Sequence, residues 1–261
     1  MYAKQELTDH LIAMGIRQTD TLLVHSSMKA IGEVEGRADG VLDVLMAWLR
    51  PGLLVLPTHT WSQIDDTHNV FDPKTEPACV GILPNLFMHR PGVVRSWHPT
   101  HSVAAFGADA AGYAAGEEQW DTPCPRQGCW GKLIDRQAKI LFLGCSLTSN
   151  TFLHGVEEWN EIPNRIAPFC QFLKIRLPDG TLMDRPMHRH HSPGLNVSEY
   201  YDKMEAPLLA LGIAINGRFA DASCVLCDAA GMDRLTSSCL KMNPDLFADG
   251  VPIPAEWYSQ L

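Results

Sequence analysis

The sequence contains no long hydrophobic run, no cluster of basic residues and no leader-peptide pattern. No stretch approaches the ~20 consecutive apolar residues that a membrane-spanning helix needs, and residues 1–7 lack the charged and apolar regions of a signal peptide. Of the 261 residues, 30 are acidic and 21 are basic, and the net charge is −9. Binding to nucleic acid requires clustered Lys and Arg side chains, so this composition argues against a nucleic-acid-binding protein. We therefore expect a cytoplasmic protein with no membrane and no nucleic-acid partner.

Several common catalytic motifs are also missing. The sequence has no phosphate-binding loop of the form GxxxxGK[ST], no GxGxxG dinucleotide fingerprint, no GxSxG nucleophile elbow and no HExxH zinc motif. These absences argue against a P-loop NTPase, a dinucleotide enzyme, a serine hydrolase and a zincin. The eight cysteines lie mostly within apolar runs, which predicts reduced, buried thiols.

Short apolar runs of strand length alternate with segments of helical periodicity. Buried strands are predicted at residues 21–25, 53–57 and 140–145, and helices at residues 39–50 and 151–159. This alternation predicts an α/β fold with a mixed, mainly parallel central sheet sandwiched by helices. A chain of this length can fill one large hydrophobic core.

Other segments refine this prediction. The Pro-Asp-Gly turn at residues 178–180 separates two apolar segments and predicts a hairpin, so the sheet should not be purely parallel. Residues 61–79 are polar and rich in turn formers, which predicts a surface loop, and residues 198–211 are predicted to be helical. Since no repeat, low-complexity tract or linker interrupts the chain, residues 1–261 are expected to form a single domain.

Three stretches place histidines beside hydroxyl or carboxylate side chains. They are residues 98–102 (His-Pro-Thr-His-Ser), 151–158 (Thr-Phe-Leu-His-Gly-Val-Glu-Glu) and 188–192 (His-Arg-His-His-Ser). His154 and Glu157 stand three apart on a predicted helix and share a face. This helix follows a buried strand, and ligands bind at strand ends in α/β sheets. A histidine supported by a carboxylate is the usual general base near neutral pH, so the pattern predicts an enzyme.

A zinc-dependent hydrolase is the alternative that the same clusters raise. Imidazole and carboxylate groups have suitable chemistry for Zn²⁺, and the candidates are His98, His101, His154, Glu157 and His190. Their local spacings match none of the common zinc motifs, and we expect no bound metal. Cys224 and Cys227 also have metal-ligand spacing, but a single pair inside an apolar segment is more typical of a buried strand.

Five segments occur in an order that resembles one enzyme family. They are residues 22–28 (Leu-Leu-Val-His-Ser-Ser-Met), 56–60 (Leu-Pro-Thr-His-Thr), 95–102 (Arg-Ser-Trp-His-Pro-Thr-His-Ser), 121–133 (Asp-Thr-Pro-Cys through Gly-Lys-Leu) and 153–157 (Leu-His-Gly-Val-Glu). Together they resemble the aminoglycoside 3-N-acetyltransferase family, also called the antibiotic N-acetyltransferase family, from about Thr21 to Phe247. The resemblance implies the fold of that family, which is unrelated to the GNAT acetyltransferases, and acetyl-CoA as the acetyl donor.

The resemblance also implies roles for individual residues. Glu157 matches the carboxylate partner of a histidine base, and the base is either His190 or His191, with His190 preferred. His101 lies in a segment that lines the acyl site and is the next catalytic candidate. The residues assigned to coenzyme binding are His25, Ser26, Ser27, Met28 and Ser102. Backbone N–H groups of the two adjacent serines are candidate donors to the coenzyme, and the Ser102 hydroxyl is a candidate donor to the oxyanion.

The implied reaction is direct transfer of an acetyl group to a cationic amine within a ternary complex. The expected acceptor is an aminoglycoside, acetylated at the 3-amino group of its 2-deoxystreptamine ring, and a different amine handled by the same fold is the alternative. Acidic side chains suit a polycationic acceptor, and the candidates are Asp65, Asp66, Glu157, Glu158 and Glu161. The oligomeric state stays open, with a homodimer among the options.

Overall fold

The computed structural model of the protein describes residues 1–259. The strands are β1 (Thr21–Ser26), β2 (Leu53–Pro57), β3 (Val70–Phe71), β4 (Val94–Arg95), β5 (Val103–Gly107), β6 (Lys139–Leu143), β7 (Gln171–Arg176), β8 (Leu182–Met187), β9 (Ala214–Phe219) and β10 (Ala222–Asp228). The α-helices are α1 (Lys4–Ala13), α2 (Met28–Ile31), α3 (Arg37–Trp48), α4 (Ile82–Phe87), α5 (Ala110–Ala114), α6 (Cys129–Asp135), α7 (Thr151–Trp159), α8 (Glu205–Ala210) and α9 (Ala229–Met242). Residues 198–211, predicted as one helix, form a 3-10 helix (Val197–Met204) followed by α8.

Seven strands form the central sheet, in the order β4-β5-β2-β1-β6-β10-β9. β1 lies in the middle and pairs in parallel with β2 and β6, whereas the outer pairs on both sides are antiparallel. The α/β class and the mixed central sheet between helices are thus confirmed, with parallel pairing confined to the three central strands. The carboxyl ends of these three strands meet at one edge of the sheet, which is where open α/β sheets bind ligands.

Helices cover both faces of this sheet because side chains alternate along each strand. On β1, Leu22 and Val24 join the apolar cluster formed with α1, α3 and α4, whereas Leu23 joins the cluster formed with α5 to α9. Large side chains such as Trp130 and Phe142 are fully buried there, and burial stabilises the fold by roughly 1.5–3 kcal/mol for each large apolar side chain. Among residues 1–259, no helix combines the length and the apolar character needed to cross a membrane.

A second, three-stranded sheet has the order β3-β7-β8. β7 and β8 form the predicted hairpin, and Gly180 in its turn has the left-handed φ of +87° that glycine tolerates best. The sequence predicted that this hairpin would belong to the central sheet. It does not, because β7 pairs with β3 from the segment 61–79. Ile64, Phe71 and Ile175 bury their side chains in the resulting small core. The predicted loop at 61–79 therefore contains a strand that supports the hairpin.

A buried carboxyl group, Glu117, gives the fold a particular pH dependence. Its Oε1 accepts the backbone N–H of Cys129 at the start of α6 (2.5 Å), while its Oε2 has no hydrogen-bond partner. Burial raises the pKa of Glu117 from its ordinary value of 4.5 to about 7. The folded state therefore holds a proton that the unfolded chain releases, so stability is lost as the pH rises from 4.5 to about 7.

We expect Glu117→Gln to remove this loss, because glutamine keeps the acceptor for Cys129 but cannot ionise. The difference at pH 8 should be on the order of 3 kcal/mol, from about 1.4 kcal/mol per unit of pKa. Urea denaturation at pH 5 and pH 8 measures the effect. The fall in unfolding free energy between the two pH values should be smaller in the variant than in the wild type. An equal fall in both proteins would show that Glu117 does not titrate as described.

Candidate active site

A cleft of about 640 Å³ opens at the edge of the central sheet where the parallel strands end. Ser26 and Pro57, the last residues of β1 and β2, line it together with Thr151 at the start of α7. Residues 189–192 contribute a further part of the wall. Size and position are both typical of a small-molecule site. Six histidines line this cleft, namely His25, His59, His101, His154, His190 and His191.

Glu157 is coupled to one of these histidines through a tyrosine. The Tyr201 hydroxyl donates to Glu157 Oε2 (2.6 Å) and lies 2.7 Å from His154 Nδ1. Arg165 Nε donates to Glu157 Oε1 (2.5 Å) and supplies a counter-charge to the buried carboxylate. Because the single hydroxyl proton of Tyr201 goes to Glu157, the Nδ1–H of His154 donates to Tyr201, and Nε2 of His154 is left as an acceptor.

The start of α7 explains this arrangement. The Asn150 side chain caps the helix by accepting the N–H of Phe152 (3.2 Å). The three-residue spacing then places His154 and Glu157 on one face, as expected from the sequence. Glu157 is fully buried, whereas the His154 side chain is 21% exposed, and their direct separation is 3.9 Å. The histidine therefore faces the cleft. The carboxylate lies on the side of the ring away from the cleft and is connected to it by hydrogen bonds through Tyr201.

Burial keeps four of these imidazoles neutral. Loss of hydration lowers the pKa of His154 to about 4, and the positive charge of Arg165 adds to the effect. Burial likewise holds further pKa values well below the usual range of histidine, those of His59, His101 and His190. A neutral imidazole can accept a proton at pH 7, so these four side chains are bases rather than cations.

His190 and His191 also line the cleft, as predicted, but neither supports Glu157. The ring of His190 stacks on that of His154, with centroids 4.2 Å apart, and meets His101 edge-on at 4.8 Å. Both side-chain oxygens of Glu157 are taken by other groups. The expected pairing of Glu157 with His190 or His191 is therefore not formed, and His154 is the imidazole that the carboxylate orients.

The first histidine cluster divides into a structural residue and a cleft residue. His98 is fully buried, and its Nδ1 accepts the N–H groups of Thr100 (3.2 Å) and His101 (2.9 Å). Its Nε2 donates to the carbonyl of Thr122 (2.9 Å). His98 thus holds the turn with both ring nitrogens, whereas His101 lines the cleft as predicted.

Of the residues predicted to bind the coenzyme, some line the cleft and others have structural roles. His25 and Ser26 line the cleft. The N–H of Ser27 donates to the carbonyl of Leu143 (2.9 Å), which leaves it unable to hold a coenzyme phosphate. Met28 packs against the apolar cluster of α1, α3 and α4. Only the first part of the predicted segment therefore reaches the cleft.

Ser102 is turned away from the cleft, in contrast to its predicted role. It is fully buried, and its hydroxyl donates to the carbonyl of Thr58 (2.8 Å) and accepts from Arg95 Nε (3.1 Å). A hydroxyl committed in this way cannot stabilise an oxyanion. Ser102 instead ties the start of β5 to the residue that follows β2.

Three residues of the site were not predicted from the sequence, namely His59, Tyr201 and Arg165. His59 lines the cleft with Nε2 3.0 Å from the hydroxyl of Thr151, while Nδ1 of His59 has no partner. Its place directly beyond a buried strand was a signal that could have identified it. Tyr201 and Arg165 carried no such signal, because only folding brings them to Glu157.

The zinc alternative does not fit these donor atoms. Both ring nitrogens of His98 and both oxygens of Glu157 are engaged in hydrogen bonds. Within residues 1–259, no group of three or more His, Cys, Asp or Glu side chains converges as a metal site would require. The five proposed ligands therefore share no common centre.

None of the acidic residues assigned to a polycationic acceptor lines the cleft. Asp65 accepts three hydrogen bonds within its own turn, from Thr67 and His68. Glu158 is bound to the hydroxyl of Thr122 and to the N–H of Cys124. Asp66 and Glu161 are exposed outside the cleft. Asp65 and Asp66 nevertheless lie close enough to Arg189, on the cleft wall, to act on its charge, so a role for acidic residues toward a polycationic acceptor stays a prediction.

Comparison with known proteins agrees with the resemblance seen in the sequence. Residues 23–241 match the family described as aminoglycoside 3-N-acetyltransferase. The chain is 31% identical over 185 residues to aminoglycoside N(3)-acetyltransferase IV of Salmonella sp., covering 70% of this chain and 67% of that protein. It is 30% identical over 203 residues to aminoglycoside N(3)-acetyltransferase VII of Streptomyces paromomycinus, covering 71% and 69%. The structure of AAC-IIIb in a binary complex with CoASH has a TM-score of 0.82 at 24% identity, covering 97% of this chain and 99% of that chain.

These similarities extend over the whole site. The matched residues 23–241 include β2, β6, all of β1 but its first two residues, α7 and every histidine that lines the cleft. The similarity to AAC-IIIb confirms the fold independently of sequence. The chain is therefore an acyltransferase and belongs to the aminoglycoside 3-N-acetyltransferase family.

Proposed function

We propose that this protein transfers the acetyl group of acetyl-CoA directly to an amino group, with His154 as the general base. Family membership supports acetyl transfer, and AAC-IIIb, which has the same fold, binds CoASH. The observation that carries the proposal is the hydrogen-bonded chain from Glu157 through Tyr201 to His154, which ends at the wall of the cleft. The names of the relatives make aminoglycosides the first acceptors to assay.

His154 takes up the proton that the acceptor nitrogen loses. As this nitrogen bonds to the thioester carbonyl carbon, its N–H becomes strongly acidic, and the bare Nε2 of His154 accepts the proton. The imidazolium so formed donates through Tyr201 toward Glu157, whose negative charge stabilises it. The carbon–sulfur bond then breaks, the proton passes to the sulfur, and the products are an amide and free CoA.

Negative charge on the carbonyl oxygen needs a hydrogen-bond donor in place of Ser102. His59 and Thr151 form a hydrogen-bonded pair at the cleft wall. When the Nε2–H of His59 donates to the hydroxyl oxygen of Thr151, the hydroxyl proton of Thr151 is free to serve the oxyanion, and the bare Nδ1 of His59 stays buried. The pKa of His59 is held low by burial, so the imidazole that orients Thr151 is neutral. His25 and Ser26, which line the cleft at the end of β1, are assigned to binding the coenzyme.

Direct transfer makes two predictions for the purified protein. Calorimetry should show binding of CoA and acetyl-CoA without added metal. After incubation with acetyl-CoA alone, mass spectrometry should find an unmodified chain, because the acetyl group passes straight to the amine. A stoichiometric acetylated serine or cysteine would favour a two-step route instead. Absence of binding at millimolar coenzyme would refute the acetyltransferase function itself.

A further inference from the structure

One histidine of the stretch 188–192 takes no part in the cleft. His188 does not line it, and its side chain instead contacts the thiol of Cys170, which does not line the cleft either. The Sγ atom of Cys170 lies 3.2 Å from Nε2 of His188. This thiol–imidazole pair therefore stands outside the acetyl-transfer site, and the reaction proposed above does not use it.

The register of the hairpin brings the two side chains together. The ladder between β7 and β8 ends at the pair formed by Gln171 and Met187. Cys170 and His188 are the next residues outward on the two strands, so the same register places them opposite each other. Opposite residues of an antiparallel pair have Cβ atoms about 4.5–5.5 Å apart, close enough for a hydrogen bond between side chains. The contact is thus built into the fold of the hairpin.

The second hydrogen bond of His188 fixes the position of its proton. Nδ1 lies 2.7 Å from the carbonyl oxygen of Ala167. A carbonyl oxygen can only accept, so Nδ1 carries the proton of the neutral ring and Nε2 is a bare acceptor. The thiol of Cys170 is therefore the donor to Nε2. A nucleophile in contact with a base, and a third group that orients the base, form the arrangement that activates a nucleophile.

The other thiols lack one or both features of this pair. Burial raises the pKa of six of them, namely Cys124, Cys129, Cys145, Cys224, Cys227 and Cys239. Cys79 is half-buried, as Cys170 is, and lies near enough to Arg95 and Arg189 to interact with their charges. Within residues 1–259, however, its thiol has no hydrogen-bonded imidazole. Cys79 is therefore the natural internal reference for Cys170.

We propose that Cys170, with His188 as its base, is a site of thiol–disulfide exchange with small disulfides. The thiol proton passes to Nε2 of His188 while Sγ of Cys170 attacks one sulfur of the disulfide. The disulfide bond breaks, and a new sulfur–sulfur bond joins Cys170 to one half of the reagent. The other half leaves as a thiolate and takes the proton from His188. Cys170 is oxidised and the leaving half is reduced, so the small disulfide is the only oxidant that the step needs.

Glutathione disulfide is the probe that tests this proposal. The full-length protein is incubated with it at pH 7, the remaining thiols are blocked with iodoacetamide, and the peptides are mapped by mass spectrometry without reduction. Glutathione should appear on Cys170 first, at a rate at least about 10-fold above that of Cys79, because the thiolate is the attacking form and a base in contact supplies it. First modification at Cys79 or at any other thiol would overturn the proposal.

His188→Asn tests the role of the base. The side-chain N–H of asparagine can replace the Nδ1–H donor to Ala167, whereas no acceptor remains at the position of Nε2. The rate at Cys170 should fall by about 10-fold, to the level of Cys79. His89→Asn alters an exposed histidine and should leave the rate at Cys170 unchanged.

An unchanged rate at Cys170 in a folded His188→Asn variant would also overturn the proposal, because the imidazole would then have no effect on the thiol. Circular dichroism establishes whether the variant folds. If it does not fold, the comparison of Cys170 with Cys79 in the wild type decides by itself. Both measurements are independent of acetyl transfer, since they involve neither acetyl-CoA nor an amine.

Discussion

Replacing His154 by alanine should lower kcat for acetyl transfer by about 10²–10⁴, the usual scale of general-base catalysis. The reason is that the bare Nε2 of His154 is the acceptor for the proton of the attacking nitrogen, and alanine leaves that proton without a base. The Michaelis constant for acetyl-CoA should change little, because the residues assigned to coenzyme binding lie at the end of β1 and not on α7. Steady-state release of CoA thiol with a saturating amine measures both quantities.

Two companion variants make this result decisive. His89 is exposed and lies outside the cleft, so His89→Ala should keep the wild-type kcat and serve as the matched histidine control. His190→Ala should have the smaller effect, since His190 stacks on the base but makes no hydrogen bond to Glu157. A larger loss of kcat in His190→Ala than in His154→Ala would indicate that His190 is the base, which was the preferred assignment from the sequence.

Glu157→Gln should damage both activity and stability. The glutamine still meets Tyr201, but Arg165 loses the carboxylate that balances its buried charge, and breaking a buried pair costs about 3–5 kcal/mol. The imidazolium of His154 also loses its distant counter-charge, so kcat should fall by at least ~10-fold. Urea denaturation and the CoA-release assay measure the two effects.

Tyr201→Phe separates the two roles of Glu157. It removes the hydroxyl that links His154 to the carboxylate but leaves the Arg165 ion pair in place. Its kcat should fall by ~10–100-fold, while its unfolding free energy should fall less than that of Glu157→Gln. A Tyr201→Phe variant with full activity and a normal fold would mean that the hydrogen-bonded chain does not support the base.

Local hydrophobic patterning was sufficient to predict the framework. The strands predicted at 21–25, 53–57 and 140–145 correspond to β1, β2 and β6, although β6 runs from Lys139 to Leu143. These strands are buried along most of their length, so their apolar runs stand out without any knowledge of the fold. The hairpin was equally clear, because its Pro-Asp-Gly turn is a local signal. Its place in a second sheet was not predictable, since β3 is only two residues long and lies in a polar segment.

The site was predictable in its location but less so in its contacts. Strand-end position indicated Glu157 and His154, and the structure places His154 on the wall of the cleft. The group that links these two residues is Tyr201, which stands 44 residues from Glu157. Ser102 has the right chemistry for an oxyanion donor, but its hydroxyl is held by Thr58 across the edge of the sheet. Such contacts depend on side-chain direction, which hydrophobic periodicity does not encode.

The most direct test of His154 as a base is the protonation state of its ring, which needs no knowledge of the acceptor. Nitrogen-15 chemical shifts of histidine-labelled protein at pH 7, assigned by comparison with His154→Ala, report the charge and the tautomer. Because burial lowers the pKa of His154 to about 4, its ring should be neutral, with the proton on Nδ1 and a bare Nε2. A charged imidazolium at pH 7, or a neutral ring with its proton on Nε2, would contradict the account.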